Sequence, residues 1–164
     1  MTKTKKITIT GIMAALIMVM TAYFFHIPIG ANGGYLHFGD AIIYLAASIL
    51  PTPYALAAAA IGSGLADLFT APMWLPATII IKMLIVIPFS CKSAKIITKR
   101  NCIATVFAYF ISGFGYFFAE YLLFETWSVF FVSIGQTLFQ SIGSAVVFIV
   151  LGATLDKAQI KNRL

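Results

Sequence analysis

Apolar residues run along the chain in six stretches, roughly 7–25, 38–50, 54–70, 74–89, 103–124 and 128–155, separated by proline, glycine and charge. Pro28, Pro51, Pro53, Pro72, Pro76 and Pro88 fall at or near the ends of these stretches, where helices tolerate a residue without an N–H. A lone spanning helix needs about 20 apolar residues, so the second stretch is short. Either residues 35–37 extend it, or neighbouring helices shield it in place of lipid. The pattern predicts an all-α integral membrane protein: one domain over residues 1–164, built as a compact bundle of six transmembrane helices.

Composition agrees with that solvent. Of 164 residues, 61% are hydrophobic and only 10% are charged, against about 25% charged in a soluble domain. A small water-soluble fold cannot hide that much apolar surface in one core. The first stretch follows a basic start, as a secretory signal does, but it is long and "FHIPIGANGG" is a poor cleavage sequence. A retained first helix is expected.

Charge then orients the bundle. Lys3, Lys5 and Lys6 precede the first span, Lys92, Lys95, Lys99 and Arg100 fill the fourth connection, and Lys157, Lys161 and Arg163 follow the sixth. With six spans, all ten lie on one face, which the positive-inside rule makes cytoplasmic together with both termini. Cys91 and Cys102 then read as free cytoplasmic thiols. A net charge of +6 interrupted by long apolar spans points to a membrane surface and not to nucleic acid.

Lys82, the eleventh basic residue, stands inside "ATIIIKMLIVI". An ammonium at membrane depth must face the interior, a wet cavity or a partner. Asp40, Asp67 and Glu120 are acids toward the outer half. An ion pair of Lys82 with Asp67 is one expectation and a ligand contact is the other. Asp40 opens the second helix after "GGYLHFG", where it is expected to cap the helix and anchor the outer loop. Tyr109, Ser112, Tyr116 and Glu120 share one face of the fifth helix, and Ser133, Gln136, Gln140 and Ser144 one face of the sixth. Such stripes glue membrane helices together; converging, they also make a polar pocket for a small ligand. Trp74 and Trp127 suit an interfacial aromatic belt, or stacking on a ring. The glycine-rich loop "HIPIGANGGYLHFG" suits a lid. On the first helix, Gly11 and Ala15, with Ala14 beside them, form a small-residue face that another helix can approach closely.

No phosphate-binding G-x-x-x-x-G-K-[ST] loop, H-E-x-x-H or G-x-S-x-G occurs. ATP hydrolysis, enzyme chemistry, a metal and a cofactor are therefore not expected of this chain.

Six spans, a small-residue first helix, "GYLHFGD" and "ILPTPYALAAAAIGSGLADL" resemble the substrate-binding S component of energy-coupling factor (ECF) vitamin transporters. The likeness spans the chain, is strongest over residues 33–90, and looks closest to the hydroxymethylpyrimidine-type branch. It implies a subunit of a prokaryotic cell membrane that binds a vitamin or precursor from outside. A membrane coupling subunit and two cytoplasmic ATPases would supply the energy, and the subunit would topple in the bilayer to deliver its cargo. Carried over, the resemblance implicates Asn32, Lys82, Tyr116, Glu120, Gln136 and Gln140 in the ligand site. Gly11, Ala14 and Ala15 match the family's docking face, although its A-x-x-x-A is here G-x-x-x-A.

Hydroxymethylpyrimidine or a vitamin B6 form is the favoured ligand. Thiamine, its thiazole precursor, pantothenate and queuosine precursors are alternatives. A membrane scaffold whose polar stripes are only glue is a reading of another class. A lipid-acting enzyme would need acids at the cytoplasmic interface, where only Asp156 lies.

Overall fold

A computed structural model describes residues 1–24, 27–29, 34–125 and 129–164; at 27–29, 34–36 and 129–133 it describes the backbone alone. The main helices are α1 (Lys3–Ala22), α2 (Gly39–Ile49), α3 (Thr52–Thr70), α4 (Leu75–Leu84), α5 (Lys99–Phe124) and α6 (Val129–Lys157). A short α7 (Ile160–Arg163) follows, and a 3-10 turn (Pro72–Trp74) leads into α4.

Helix ends follow local chemistry. Thr2 Oγ1 accepts from Lys5 N at 3.3 Å and starts α1 ahead of the apolar run. Thr98 Oγ1 does the same for α5 through Asn101 N at 3.1 Å. Both helices thus begin about one turn before the hydrophobic pattern does, because capped polar residues prolong a helix into the interface. The fourth stretch behaves oppositely. Its helix stops at Leu84 and passes through turns to Pro88, which has no N–H to donate back to the Leu84 carbonyl.

The connection between α1 and α2 departs from the all-helical expectation. Strands β1 (Ile27–Ile29) and β2 (Gly34–Leu36) pair antiparallel, with Ile27 opposite Leu36 and Ile29 opposite Gly34, and β2 packs on α6.

Helices α1, α3, α4, α5 and α6 pack in that order, each on the next, while α2 packs against α1, α3, α5 and α6. All eleven residues of α2 are buried. This settles how so short a helix survives: its neighbours, not lipid, surround it. At about 1.5 Å per residue it rises only some 16 Å, roughly half the hydrocarbon thickness. From the middle of α2, Tyr44 stacks on Phe89 at 5.0 Å, and Phe148 meets both rings edge-on at 5.9 Å.

The outside of the bundle is apolar. Phe107, Phe110, Phe114 and Phe118 on α5, and Phe139, Ile142, Val146 and Ile149 on α6, are exposed. Among the described residues, Lys3–Ala22, Lys99–Phe124 and Ile134–Lys157 are long and apolar enough to cross a membrane; Gly39–Ile49 and Pro72–Leu84 are shorter apolar helices. The protein crosses a membrane several times.

Polar contacts tie the opposite end of the bundle. Asn101 Oδ1 accepts from Ser90 N at 2.9 Å, and its Nδ2 lies 2.9–3.1 Å from Ile96 O, Ser90 O and Ser48 Oγ. Asp156 accepts from the N–H groups of Ile96 and Ile97 at 2.7 and 2.9 Å. Lys161, on α7, donates to Ser48 O in the last turn of α2 at 2.7 Å, where a cation complements the helix dipole. Burial pushes its ammonium's pKa below the ordinary lysine value, against the opposing pull of Cys91 and Asp156. Lys5 Nζ reaches Leu164 O at 3.3 Å, so the two ends of the chain meet on one face.

Candidate ligand-binding site

The site is assembled where α2 begins. Phe38, just before the helix, lies on α6 at Gly143, where any Cβ would run into its ring. That close approach, open only to glycine, brings the first turn of α2 against α6 one turn below Gln140. The N-cap position of α2 belongs to Phe38, which makes no side-chain cap. His37 Nδ1 instead accepts from Gly39 N at 3.0 Å.

Asp40 therefore does not cap α2 as the sequence suggested. It is buried inside the first turn and forms an ion pair with Lys82 of α4 at 2.6 Å. Lys82 thus takes Asp40 as its partner where the sequence reading favoured Asp67. Both side chains are 1% exposed. Asp40 Oδ2 also accepts from Gln140 Nε2 at 3.0 Å. Lys82 Nζ stands 5.2 Å from the centre of the Tyr116 ring, a cation–π contact in a desolvated setting. The Tyr116 hydroxyl and Thr78 Oγ1 are hydrogen-bonded at 3.2 Å. One ion pair thereby joins side chains of α2, α4, α5 and α6. In a low-dielectric interior such a pair endures only when its remaining polar atoms are also met.

Aromatic groups flank the cluster. Trp74 is buried, 5% exposed, with Tyr116 edge-on at 6.2 Å and Phe124 at 6.3 Å. It faces the bundle interior, so it is no part of a lipid-facing belt. Its Nε1 is buried with no hydrogen-bond partner among the described residues, and so is Gln136 Nε2. Buried donors of this kind are costly unless something accepts from them.

The structure thus gathers Lys82, Tyr116 and Gln140 into one cluster with Asp40. Glu120 is buried one turn beyond Tyr116 on α5, and Gln136 lies one turn before Gln140 on α6. Asp67 is buried near the end of α3. Asn32 and Trp127 lie outside the described residues. Tyr109 turns elsewhere, to a shallow apolar cleft with Phe110, Gly113, Phe114 and Ile134. Gly11 and Ala15 are exposed on α1, and nothing lies within 4 Å of a Cβ built at Gly11. Ala14 is the exception to the expected docking face. It is 5% exposed and packs inward on α3, where a Cβ at Gly62 would come within 2.6 Å of its carbonyl oxygen.

Sequence reasoning passed over Thr78 and gave His37 no role. Thr78 sits four residues before Lys82, on the same face of α4. That spacing was the available signal. Among the described residues, no group of three or more His, Cys, Asp or Glu is placed to hold a metal ion.

The family model described as "ECF-type riboflavin transporter, S component" matches residues 1–157. The chain belongs to this family. Members of the ECF S-component family are substrate-binding subunits of vitamin transporters, not enzymes, and the apolar outside of this bundle suits that setting. The description names riboflavin, where the sequence resemblance pointed to the hydroxymethylpyrimidine-type branch. A search of curated proteins finds no match. As an S component the chain has its polar cluster where the first connection enters α2, and the second strand of that connection packs on α6.

Proposed function

We propose that this S component captures riboflavin from outside a prokaryotic cell and delivers it inward together with a membrane coupling subunit and two cytoplasmic ATPases. The observation that carries the ligand is the riboflavin family match over residues 1–157. The site supports it chemically. A flavin is a flat aromatic heterocycle with carbonyl acceptors, an imide N–H and a hydroxylated chain. Trp74, Tyr116 and Phe124 offer aromatic surface, Gln136 and Trp74 offer unspent donors, and Glu120 offers an acceptor for hydroxyls. Asn32, carried over from the sequence resemblance, completes the proposed set, and Asp67 on α3 is assigned to its wall.

In this reading the chain makes six passes, α2 and α4 together with the residues that flank them, and both termini are cytoplasmic. The structure supplies part of the support, because the ends of the chain meet on the face that holds Lys161 and the Asn101 cluster. Gly11 and Ala15 face the coupling subunit from the open side of α1.

The test is titration of the purified chain with riboflavin, followed by the flavin's own fluorescence, with hydroxymethylpyrimidine and pyridoxine as competitors. Saturable riboflavin binding that neither competitor displaces is expected. Binding of hydroxymethylpyrimidine or pyridoxine without binding of riboflavin would overturn the flavin assignment.

A further inference from the structure

Gln140 links the buried ion pair to the site, and the pair restricts what Gln140 can offer. Asp40, held against Lys82 at 2.6 Å, is ionised, and an ionised carboxylate only accepts hydrogen bonds. The atom of Gln140 that faces it must therefore be the amide nitrogen, as the 3.0 Å contact from Nε2 to Oδ2 shows. A side-chain amide is planar, with its oxygen and nitrogen on opposite sides. Committing Nε2 to Asp40 turns Oε1 away from the ion pair. Four residues earlier on the same face of α6, Gln136 keeps a buried Nε2 with no hydrogen-bond partner among the described residues. The face thus carries an acceptor and a donor about one helical turn apart, some 5–6 Å at the Cβ atoms.

We propose that Asp40 and Lys82 are positioning residues that lock the Gln140 amide so that Oε1 accepts from the imide N–H of a bound flavin ring, while Gln136 Nε2 donates to a ring carbonyl beside it. This rests on the flavin reading of the site. Lys82 makes Asp40 a fixed anion, Asp40 orients Gln140, and of these three only Gln140 touches the ligand. A ring that presents a lone pair at that position would meet the Oε1 lone pair and be rejected, so the ion pair acts on selectivity more than on affinity.

The experiment compares riboflavin with its N3-methyl derivative, which lacks the imide proton. The parent should favour riboflavin by about tenfold or more, the worth of one hydrogen bond made inside a site plus the bulk of the methyl group. Gln140→Leu, unable to accept from either ligand, measures the share due to bulk alone. Asp40→Asn combined with Lys82→Met leaves a neutral amide at position 40 that tolerates either orientation of Gln140. Its selectivity should fall most of the way to the Gln140→Leu value while riboflavin still binds. Equal weakening of both ligands, with the ratio kept at the parent's, would show a merely structural pair and overturn the proposal. A second readout needs no ligand and no variant. In nitrogen-15 spectra of the parent, the Gln140 side-chain amide protons should be shifted by the carboxylate and exchange slowly. Free exchange there overturns the positioning role, whereas slow exchange in a chain that ignores riboflavin overturns the flavin reading alone.

Discussion

At the scale of single residues, the most consequential contact is one charge held against another. Lys82 and Asp40 are both out of water, and each is tolerable only because of its partner. Replacing one of them leaves a buried ion with nothing to neutralise it. Lys82→Met should destabilise the bundle by about 3–5 kcal/mol. The double variant Asp40→Asn with Lys82→Met should lie much closer to the parent, because a neutral pair carries little desolvation cost. Unfolding titrations in mixed detergent would measure both, and a double variant as unstable as Lys82→Met would show that the charges contribute something beyond mutual compensation. Lys82 stood out from sequence alone as an ammonium in an apolar run. Its partner did not, because three acids were within plausible depth and periodicity does not rank them.

At the scale of elements, α2 is the unusual one: eleven buried residues held at both ends by side chains of other helices. Asp40 fastens its start to α4 and α6, and Lys161 fastens its last turn from α7. Lys161→Met removes a cation from the carbonyl end of a helix, an effect of about 1 kcal/mol when partly shielded from solvent. Hydrogen exchange should then speed up in the final turn of α2 and leave α5 unchanged; uniform acceleration across the bundle would mean that α7 supports the whole fold. The existence of α2 was legible from its apolar run. That it would be the central helix was not, since a continuous apolar stretch serves equally against lipid or against protein. The hairpin of β1 and β2 was missed for a related reason. Its glycines read as flexibility, but extended strands form there with β2 packed on α6.

At the scale of the whole molecule, orientation and partnership can be separated from ligand binding. If both termini and residues 92–100 are cytoplasmic, an impermeant thiol reagent applied to intact cells should leave Cys91 and Cys102 unlabelled until the membrane is opened. Labelling without permeabilisation would reverse the orientation. The exposed face of α1 gives the complementary test. Gly11→Leu with Ala15→Leu places bulk where nothing presses inside the bundle, so riboflavin affinity of the isolated subunit should stay within about twofold of the parent. Transport by the assembled system should fall to background, because a coupling helix is held away and loses its packing contacts. Parallel loss of binding and transport would place that face inside the fold. Ala14 is left out of the pair since it already packs on α3.

What the sequence determined by itself was the solvent, the helices and the polar positions on each helix. Mean composition, runs between prolines, and residues spaced three or four apart are local properties, and they survive whatever the helices later do. Lys82, Tyr116, Glu120, Gln136 and Gln140 were all visible in this way. Depth and partnership came from packing. Whether Asp40 caps a helix at the surface or meets Lys82 in the interior depends on how far α2 is sunk between its neighbours. That depth is set by Phe38 lying on Gly143, a contact between residues more than a hundred positions apart. Ala14 turned inward, beside the outward-facing Gly11 and Ala15, for the same reason. Periodicity gives the faces of a helix, and only packing says which face meets which neighbour and at what height.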